Sequence, residues 1–555
     1  EGDSRDRRTP AGERPPPIRT DVVREPGKEV TMSAPAAADG WGPHVPQRRK
    51  RSGGPLWFRL WMVGLLFVWY HEARSVLGAV VLLGGGFVLA AMFQAWLDAG
   101  AVQASPANRL ADASDPLEAV LEDSARHGGG VYLGVEERGG WRAARPERAV
   151  LLLGPPRSGK SSGVIVPAVL AHAGAAVCTS TKPDVLKATI AARSRLGRVW
   201  QFDPTGTEPP SSGALALRWS PVTAARSWDG ALLIARAMVT GAGVGAGTTD
   251  HTHWSRRAQA LLAPLLHAAA LAGRDVGCVV DWVLRHELDE PGILLQPAGA
   301  RVGCGVLAGL QATEARERSS IFSAAADAID AYTSTGALAA ASEPNFDADR
   351  FVRSRDTIYV HAGAEHQALA APLVCGLLSE IRRATYRAHR DGMLSGRVLF
   401  ALDEAANIAP LGELPAIASE GGGQGLCLLA AFQDLSQARA RWGTPADGFL
   451  TLFGAKVILP GVADSRTLEQ VSLALGEYDR HVVSTTKNRT SASLIAQTSR
   501  TTSIQRQRVL SPGEIANIPA GHALYLDGVA WELLRLTPAY RDEPWRKLVE
   551  LSRSW

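Results

Sequence analysis

Two patterns of hydrophobic and polar positions alternate along the chain. Short apolar runs at 149–153, 398–402 and 426–432 are typical of buried strands, and each is followed by Gly or a polar residue. Between about 221 and 343, Ala- and Leu-rich amphipathic stretches dominate and strand patterns nearly vanish. Strands that alternate with helices on both sides of this segment predict a parallel α/β sheet. The helices predicted within the segment are 224–240, 253–273, 276–285 and 314–332.

The first apolar run leads directly into the sequence G-x-x-x-x-G-K-S, from Gly154 to Ser161. This spacing is typical of the phosphate-binding loop of nucleotide hydrolases. Gly154 and Gly159 allow backbone angles that turn consecutive N–H groups toward phosphate oxygens. Lys160 would reach the β- and γ-phosphates of ATP, and Ser161 would ligate Mg²⁺. The residues predicted to bind the nucleotide are Gly154, Pro155, Pro156, Arg157, Ser158, Gly159, Lys160, Ser161 and Ser162.

The second apolar run ends at Asp403 and Glu404. Asp403 would hold the Mg²⁺ shell, and Glu404 would polarise the attacking water. The third run ends at Gln433, whose amide would sense the γ-phosphate or position water; an exposed Gln at a strand end is an equal alternative. The predicted catalytic residues are therefore Lys160, Glu404 and Gln433, and the predicted metal ligands are Ser161 and Asp403.

Two apolar stretches precede these motifs. Residues 76–97 contain no formally charged side chain, and as a helix they would extend roughly 33 Å, enough for a bilayer core. Residues 56–70 are apolar but contain Arg59, which fits either a tilted span or an interfacial helix. We expect a transmembrane helical hairpin. The basic cluster 48–51 before it predicts a multi-pass protein of the inner (cytoplasmic) membrane, with its ATPase domain in the cytoplasm.

Composition limits the remaining possibilities. The formal net charge of +4 is small for 555 residues, so any nucleic-acid-binding surface must be local. Six arginines in the helical segment fit either such a surface or an ordinary solvated one: Arg256, Arg257, Arg285, Arg301, Arg316 and Arg318. The five cysteines are scattered, which argues against a disulfide scaffold or a zinc ribbon. His251 and His253 would face different sides of a helix, so we expect helix-entry structure there rather than a metal site.

These patterns divide the chain into six parts. They are a disordered basic, Pro-rich region (1–54), a transmembrane hairpin (55–97), the first part of a nucleotide-binding domain (98–220), an all-α inserted domain (221–345), the second part of the nucleotide-binding domain (346–530) and a C-terminal tail (531–555). Met32 is an alternative start of the protein.

The order of the parts resembles the type IV coupling proteins of conjugative DNA transfer, the TraG/TraD-like family. The resemblance extends over roughly residues 55–530. It rests on the apolar hairpin followed by 154–161, and on the stretches 179–184, 202–206, 219–221, 253–254, 356–360, 402–410, 433–435 and 510–515.

The resemblance implies a RecA-like P-loop ATPase domain with an inserted all-α domain, assembled as a membrane-anchored homo-hexamer. Such rings link relaxase–DNA complexes to a type IV secretion channel and drive DNA transfer with ATP and Mg²⁺. By motif matching, Lys160, Ser161, Asp403, Glu404 and Gln433 take the family's nucleotide-site roles.

One departure from the family concerns the arginine that many members place near 421–425 and supply to the neighbouring subunit's ATP. This chain has no Arg or Lys between Arg397 and Arg439. The arginine that acts on the neighbouring subunit's ATP, called the trans arginine finger, is therefore elsewhere in this chain or missing. Its candidates are Arg439, Arg441 and Arg466. A missing finger should make hydrolysis slow, since such an arginine is worth on the order of 10³ in rate.

Two functions remain open from the sequence. The first is an ATPase that couples relaxase–DNA substrates to a type IV secretion channel during conjugation. The alternative is a nucleotide-binding receptor or scaffold that recruits protein substrates to the channel without pumping DNA. A chromosome-segregation translocase is disfavoured because nothing after Gly521 corresponds to its winged-helix module.

Overall fold

The computed structural model describes residues 110, 113–137, 139–245, 251–488 and 497–553. The predicted disordered region (1–54) and transmembrane hairpin (55–97) lie outside the described residues.

The predicted multi-pass location in the inner membrane is contradicted. Within the described ranges, none of the helices combines the length and the apolar character that crossing a bilayer requires. A span needs about 20 mostly apolar residues. The two described helices of that length, His251–Leu271 and Gln367–Arg390, both contain arginines within the span.

A twelve-stranded sheet forms the centre of the described structure. Its strands are β1 (Tyr132–Val135), β2 (Trp141–Ala143), β3 (Val150–Leu153), β4 (Ala176–Ser180), β5 (Val199–Phe202), β6 (Leu215–Ala216), β7 (Thr357–His361), β8 (Val398–Leu402), β9 (Leu426–Phe432), β10 (Ala455–Ile458), β13 (His522–Asp527) and β14 (Ala530–Arg535). Two further strands, β11 (Glu477–Asn488) and β12 (Gln497–Arg508), form a separate antiparallel pair. The order across the large sheet is β2-β1-β14-β13-β10-β3-β9-β8-β4-β7-β5-β6. The strands from β10 to β6 run parallel to one another, and the other four extend one edge in antiparallel fashion.

Helices cover both faces of the sheet and fill the central segment of the chain. They are α1 (Pro116–Arg126), α2 (Val166–Ala171), α3 (Asp184–Ser194), α4 (Pro221–Ala224), α5 (Trp228–Ala242), α6 (His251–Leu271), α7 (Val276–Leu284), α8 (Asp289–Leu295), α9 (Arg301–Gln311), α10 (Ala315–Ile329), α11 (Thr335–Ala341), α12 (Ala348–Val352), α13 (Gln367–Arg390), α14 (Leu414–Glu420), α15 (Leu435–Trp442), α16 (Phe449–Leu452), α17 (Ser465–Leu475), α18 (Pro512–Ala516) and α19 (Trp545–Arg553).

The apolar runs of the sequence are the central parallel strands. In β3, Leu151 and Leu153 pack into one hydrophobic layer, whereas Val150 and Leu152 pack into the layer on the opposite face. Because successive side chains of a strand point to opposite faces, a strand covered on both sides must be apolar at every position. The predicted α/β class is confirmed.

The segment between β6 and β7 contains helices and loops but no strand in its described part, 217–245 and 251–356. Its helices α5, α6, α7 and α10 correspond to the four predicted from periodicity, whereas α4, α8, α9, α11 and α12 were not predicted. Helix α6 lies at the centre of the segment, because Leu261, Leu262, Leu265 and Leu266 are fully buried along it. The division of the chain into six parts stays a prediction.

Candidate functional site

Neighbouring parallel strands bring three predicted site residues to one edge of the sheet. Strand β9 lies between β3 and β8, and Leu153 of β3 pairs with Phe432 of β9. The residues that follow the three strands are Gly154, Asp403 and Gln433. Because carboxyl ends of parallel strands meet at the same edge, the phosphate loop, the acid and the amide adjoin one another.

The backbone of the loop after β3 adopts conformations that favour the glycines in its sequence. A Cβ atom on Gly154 would lie 2.6 Å from Ser158 Oγ and 3.0 Å from Leu459 Cβ, so only glycine fits there. Gly159 has φ +97° and Arg157 has φ +65°, both in the left-handed region that glycine favours. The loop therefore turns tightly from the strand into the following helix.

That helix begins with a π-helical turn, Ser161–Ile165, which continues into α2. Its free N–H groups and its dipole make the N-terminal end suited to an anion. Lys160 stands directly before the turn and is only 6% exposed. Its Nζ donates to the carbonyl oxygens of Gly154 and, at 3.5 Å, Pro155, so the amine lies over the loop.

The loop fits a phosphate group. Ser158 Oγ is buried and, within the described part of the chain, has no hydrogen-bond partner. A Cβ atom built on Gly159 would meet nothing within 4 Å, which leaves space beside the loop. An unpaired hydroxyl, an open cradle and a buried ammonium group together match the oxygens and charge of a nucleotide phosphate.

Asp403 joins the acid-bearing strand to the phosphate loop. Its Oδ2 accepts a hydrogen bond of 2.9 Å from Ser161 Oγ, and its backbone oxygen accepts one of 2.9 Å from Thr179 Oγ1 of β4. Burial raises the pKa of the Asp403 carboxyl, and the Ser161 bond and the charge of Lys160 oppose this shift. The two predicted metal ligands are thus adjacent oxygens, the donor type that Mg²⁺ prefers.

Glu404 adopts an unusual backbone conformation, with φ +53°. Such a conformation in a non-glycine residue costs roughly 1–3 kcal/mol and is concentrated at functional sites. Burial raises the pKa of the Glu404 carboxyl; the charge of Lys160 lowers it, nearby Asp403 raises it, and a hydrogen bond from Gln433 lowers it. A raised pKa makes the ionised carboxylate a stronger base than an ordinary glutamate, which suits it to accept a proton from water.

Gln433 is held in place through both its backbone and its side chain. Its N–H donates to Gln437 Oε1 at 3.0 Å, and its side chain is close enough to the Glu404 carboxyl to lower the pKa of that group. Thr179 and Gln437 therefore support the site, although sequence reasoning did not single them out. Only the position of Thr179 at the end of an apolar strand could have indicated it.

Two of the three candidate trans arginines pair within the chain itself. Arg439 Nη2 lies 2.6 Å from Asp464 Oδ2, and Arg466 Nη2 lies 2.8 Å from Asp447 Oδ1. The first pair is largely buried and the second is exposed. Either arginine would have to leave its carboxylate before it reached another subunit.

The third candidate, Arg441, connects the sheet to the helical segment. Its guanidinium donates to the carbonyl oxygens of Thr240 (3.0 Å) and Gly241 at the end of α5. The next residue, Trp442, donates through Nε1 to Leu411 O at 2.8 Å, in the loop that follows the acids. Arg441 therefore holds together α15, which follows Gln433, and the helical segment.

Two predictions concern the helical segment: helix-entry structure rather than a metal site at His251 and His253, and a nucleic-acid-binding surface formed by its arginines. Among the residues that the structure describes, no cluster of three or more His, Cys, Asp or Glu is placed to hold a metal. Arg257 pairs with Glu317 at 3.0 Å and Arg285 with Asp281 at 3.4 Å. Contact of this segment with nucleic acid stays a prediction.

Two family models match the chain. One, described as "Type IV secretory system Conjugative DNA transfer", matches residues 117–285. The other, described as "TraM recognition site of TraD and TraG", matches residues 397–520 and so contains both acids and Gln433. The chain belongs to the TraG/TraD-like family of type IV coupling proteins. No curated protein sequence matches the chain.

Solved structures of one coupling protein share the fold. The bacterial conjugative coupling protein TrwBdeltaN70, in its unbound monoclinic form, is 18% identical with a TM-score of 0.55, over 73% of this chain and 88% of that chain. The plasmid coupling protein TrwB in complex with ADP and Mg²⁺ is 18% identical with a TM-score of 0.54, over 73% of this chain and 89% of that chain. At this identity the likeness establishes the α/β fold of this family member.

Proposed function

We propose that this chain is an ATP hydrolase that drives DNA, delivered as a relaxase–DNA complex, into a type IV secretion channel during conjugation. The observation that carries the proposal is the contact between Ser161 and Asp403, which joins a complete phosphate loop to a buried acid. Family membership supplies the DNA-transfer context, and the TrwB complexes with ADP, Mg²⁺ and an ATP analogue support the choice of nucleotide.

The residues would divide the work as follows. The loop N–H groups and Lys160 would bind the phosphates, and Ser161 and Asp403 would hold Mg²⁺, which neutralises phosphate charge when bound. Glu404 would accept the proton of the attacking water, and Gln433 would orient that water through its contact with Glu404. The inward position of Lys160 over the loop leaves its amine close to any phosphate in the cradle.

We further propose a homo-hexameric ring in which 98–220 and 346–530 form the nucleotide-binding domain and 221–345 the inserted domain. Arg441 supports coupling between the two, because it binds the end of α5 from the helix that follows Gln433. A change at the γ-phosphate could thus be passed to the helical segment.

The test is ATP turnover by the full chain and by its Lys160→Ala variant, each with and without single- and double-stranded DNA. Turnover that DNA stimulates in the wild type and that disappears in the variant supports the motor. A matched control is Lys187→Ala, which removes a lysine from α3 instead. Normal turnover by the Lys160→Ala variant would contradict the site.

A receptor that binds ATP without pumping DNA is the second candidate. The observation in its favour is that Arg439, Arg441 and Arg466 all have partners within the chain, which leaves none of them free as a trans finger in this conformation. ATP binding without turnover, and without any response to DNA, is the result expected of a receptor.

A further inference from the structure

The antiparallel pair β11–β12, called the ribbon below, is an arm that lies outside the large sheet. Its strands pair without interruption from Glu477 with Arg508 to Asn488 with Gln497. Twelve residues in each strand give an arm about 40 Å long. Its residues 479–484 and 500–507 are exposed, apart from half-buried Val482.

The base of the ribbon is firmly attached. Arg508 Nη2 lies 2.6 Å from Glu469 Oε1 of α17, and Ser472 Oγ of the same helix donates to Leu510 O at 2.6 Å. A backbone bond of 3.1 Å from Val509 N to Gly476 O closes the base. An arm with a fixed base and two exposed faces is positioned to bind another molecule.

The charge of this region is strongly one-sided. Residues 477–508 contain six Lys or Arg against two acids, Glu477 and Asp479, a surplus of four that equals the formal charge of the whole chain. Arg506 lies 3.9 Å from Asp479, with both side chains exposed, and Arg480 donates to the neutral amide of Gln507. Arg500 is exposed and has no carboxylate within 4 Å in the described part of the chain. The favoured partner is therefore a polyanion.

The arginines lie on both faces of the ribbon. Residues opposite each other in an antiparallel pair share a face, and Arg506 pairs with Asp479 and Arg500 with Thr485. Arg500 and Arg506 are therefore on one face, roughly 20 Å apart along the strand, and Arg480 is on the other. The major groove of B-DNA, about 12 Å wide, accepts a two-stranded ribbon between two walls of phosphate.

The composition of the ribbon favours a duplex over other partners. Apart from half-buried Tyr478 at its base, the stretch 477–524 contains no Phe, Trp or Tyr, whereas proteins that hold single strands stack bases on aromatic side chains. Hydroxyl groups such as Ser484, Thr501 and Ser503 are exposed and can donate to phosphates. Pairing with a second copy along the free edges is disfavoured by the like charges.

We propose that the ribbon is a duplex-DNA-binding arm that enters a groove and contacts phosphates through Arg480, Arg500 and Arg506. This inference rests on the proposed DNA-transfer function and deepens it by naming the surface and the form of DNA. The contacts are largely electrostatic and independent of base sequence, so binding should weaken steeply as salt rises.

The test is equilibrium binding of the full chain to a fluorescent duplex, and to one of its single strands, over a range of salt concentrations. The variant with Arg480→Ala, Arg500→Ala and Arg506→Ala should bind duplex roughly 10-fold or more weakly, and its log–log salt slope should fall by about two to three. Arg500→Ala alone should lower the slope by about one. Replacing all three by Lys should preserve most of the binding, because the charge remains.

The matched control is Arg353→Ala, Arg390→Ala and Arg541→Ala, three exposed arginines outside the ribbon, which should bind duplex as the wild type does. Equal thermal unfolding midpoints of all variants check that the fold is intact, and Arg500→Ala alone serves if the triple variant melts early.

Unchanged duplex binding by the ribbon variants, an equal loss in the control, or a loss confined to single strands overturns the inference. A wild type that binds neither form of DNA contradicts the proposed function itself, whereas a DNA-binding wild type with indifferent ribbon variants contradicts only the ribbon. That last result is also expected if the ribbon binds a protein instead.

Discussion

Ser161 Oγ donates a 2.9 Å hydrogen bond to Asp403 Oδ2, although the two residues are 242 positions apart in the chain. The bond joins the start of the helix after the phosphate loop to the end of β8. Both oxygens are of the kind that binds Mg²⁺, and the loop brings the lysine amine to the same place. The pair therefore joins the phosphate loop and the acid-bearing strand into one candidate site.

Asp403→Asn should lower Mg²⁺-dependent ATP turnover by roughly 100-fold or more, because a neutral amide is a poor ligand for a hard cation. The amide oxygen can still accept the Ser161 bond, so the fold should be kept. The measurement is turnover against Mg²⁺ concentration. The exposed Asp391→Asn is the control, and a normal Mg²⁺ response in Asp403→Asn would contradict the ligand assignment.

Glu404→Gln should bind ATP but hydrolyse it about 10²- to 10⁴-fold more slowly, since the amide cannot accept the proton of water. Nucleotide binding is measured with a fluorescent ATP analogue, and phosphate release in the same sample. Glu420→Gln, an exposed change at the end of α14, should behave as the wild type. Equal turnover in both variants would assign the base to another residue.

Gly422 and Gly423 form a matched pair before β9, at the edge of the sheet opposite the site. A Cβ atom on Gly422 would lie 2.2 Å from Glu147 O, whereas one on Gly423 would meet nothing within 4 Å. Gly422→Ala should therefore destabilise the protein by about 1–3 kcal/mol, because backbone must move. Gly423→Ala should be nearly neutral. Denaturant unfolding of both variants is the measurement, and equal stability would mean that the loop adjusts freely.

Glu380 of α13 predicts a pH dependence of stability. Its carboxylate accepts a 2.7 Å bond from Trp219 Nε1, and burial raises the pKa of Glu380 to about 7 from an ordinary 4.5. The native state therefore holds the proton up to a higher pH than the unfolded state does. Stability from this group is present below about pH 4.5 and is lost as pH rises through about 7.

Glu380→Gln should consequently be more stable than the wild type at pH 8, by roughly 1–3 kcal/mol, and nearly equal to it at about pH 4.5. The Gln side-chain oxygen can still accept the Trp219 bond. Thermal or denaturant unfolding at several pH values measures the difference. The exposed Glu137→Gln is the control, and a constant difference between Glu380→Gln and wild type across pH would contradict the raised pKa.

The sequence by itself determined the local parts of this protein. The phosphate loop was predictable because its glycines, lysine and serine are fixed by spacing within eight residues. Strands β3, β8 and β9 were predictable because burial on both faces demands unbroken apolar runs. The same local reasoning predicted α5, α6, α7 and α10 from their periodicity. The predicted location in the inner membrane, which rested on apolar stretches before the phosphate loop, is contradicted.

Only the tertiary structure decided which parts meet. That β9 separates β3 from β8 follows from long-range strand pairing, and this order is what places Gln433 between the loop and the acids. The partners of Arg439, Arg441 and Arg466 also lie far along the chain or in another element, so no spacing reveals them. Residues 481–509 are rich in Ser, Thr and Arg, a composition that fits either a loop or a hairpin, and only the pairing of β11 with β12 shows that they form a hairpin. Local patterns record which side chains are buried, whereas contacts between distant residues depend on how the whole chain packs.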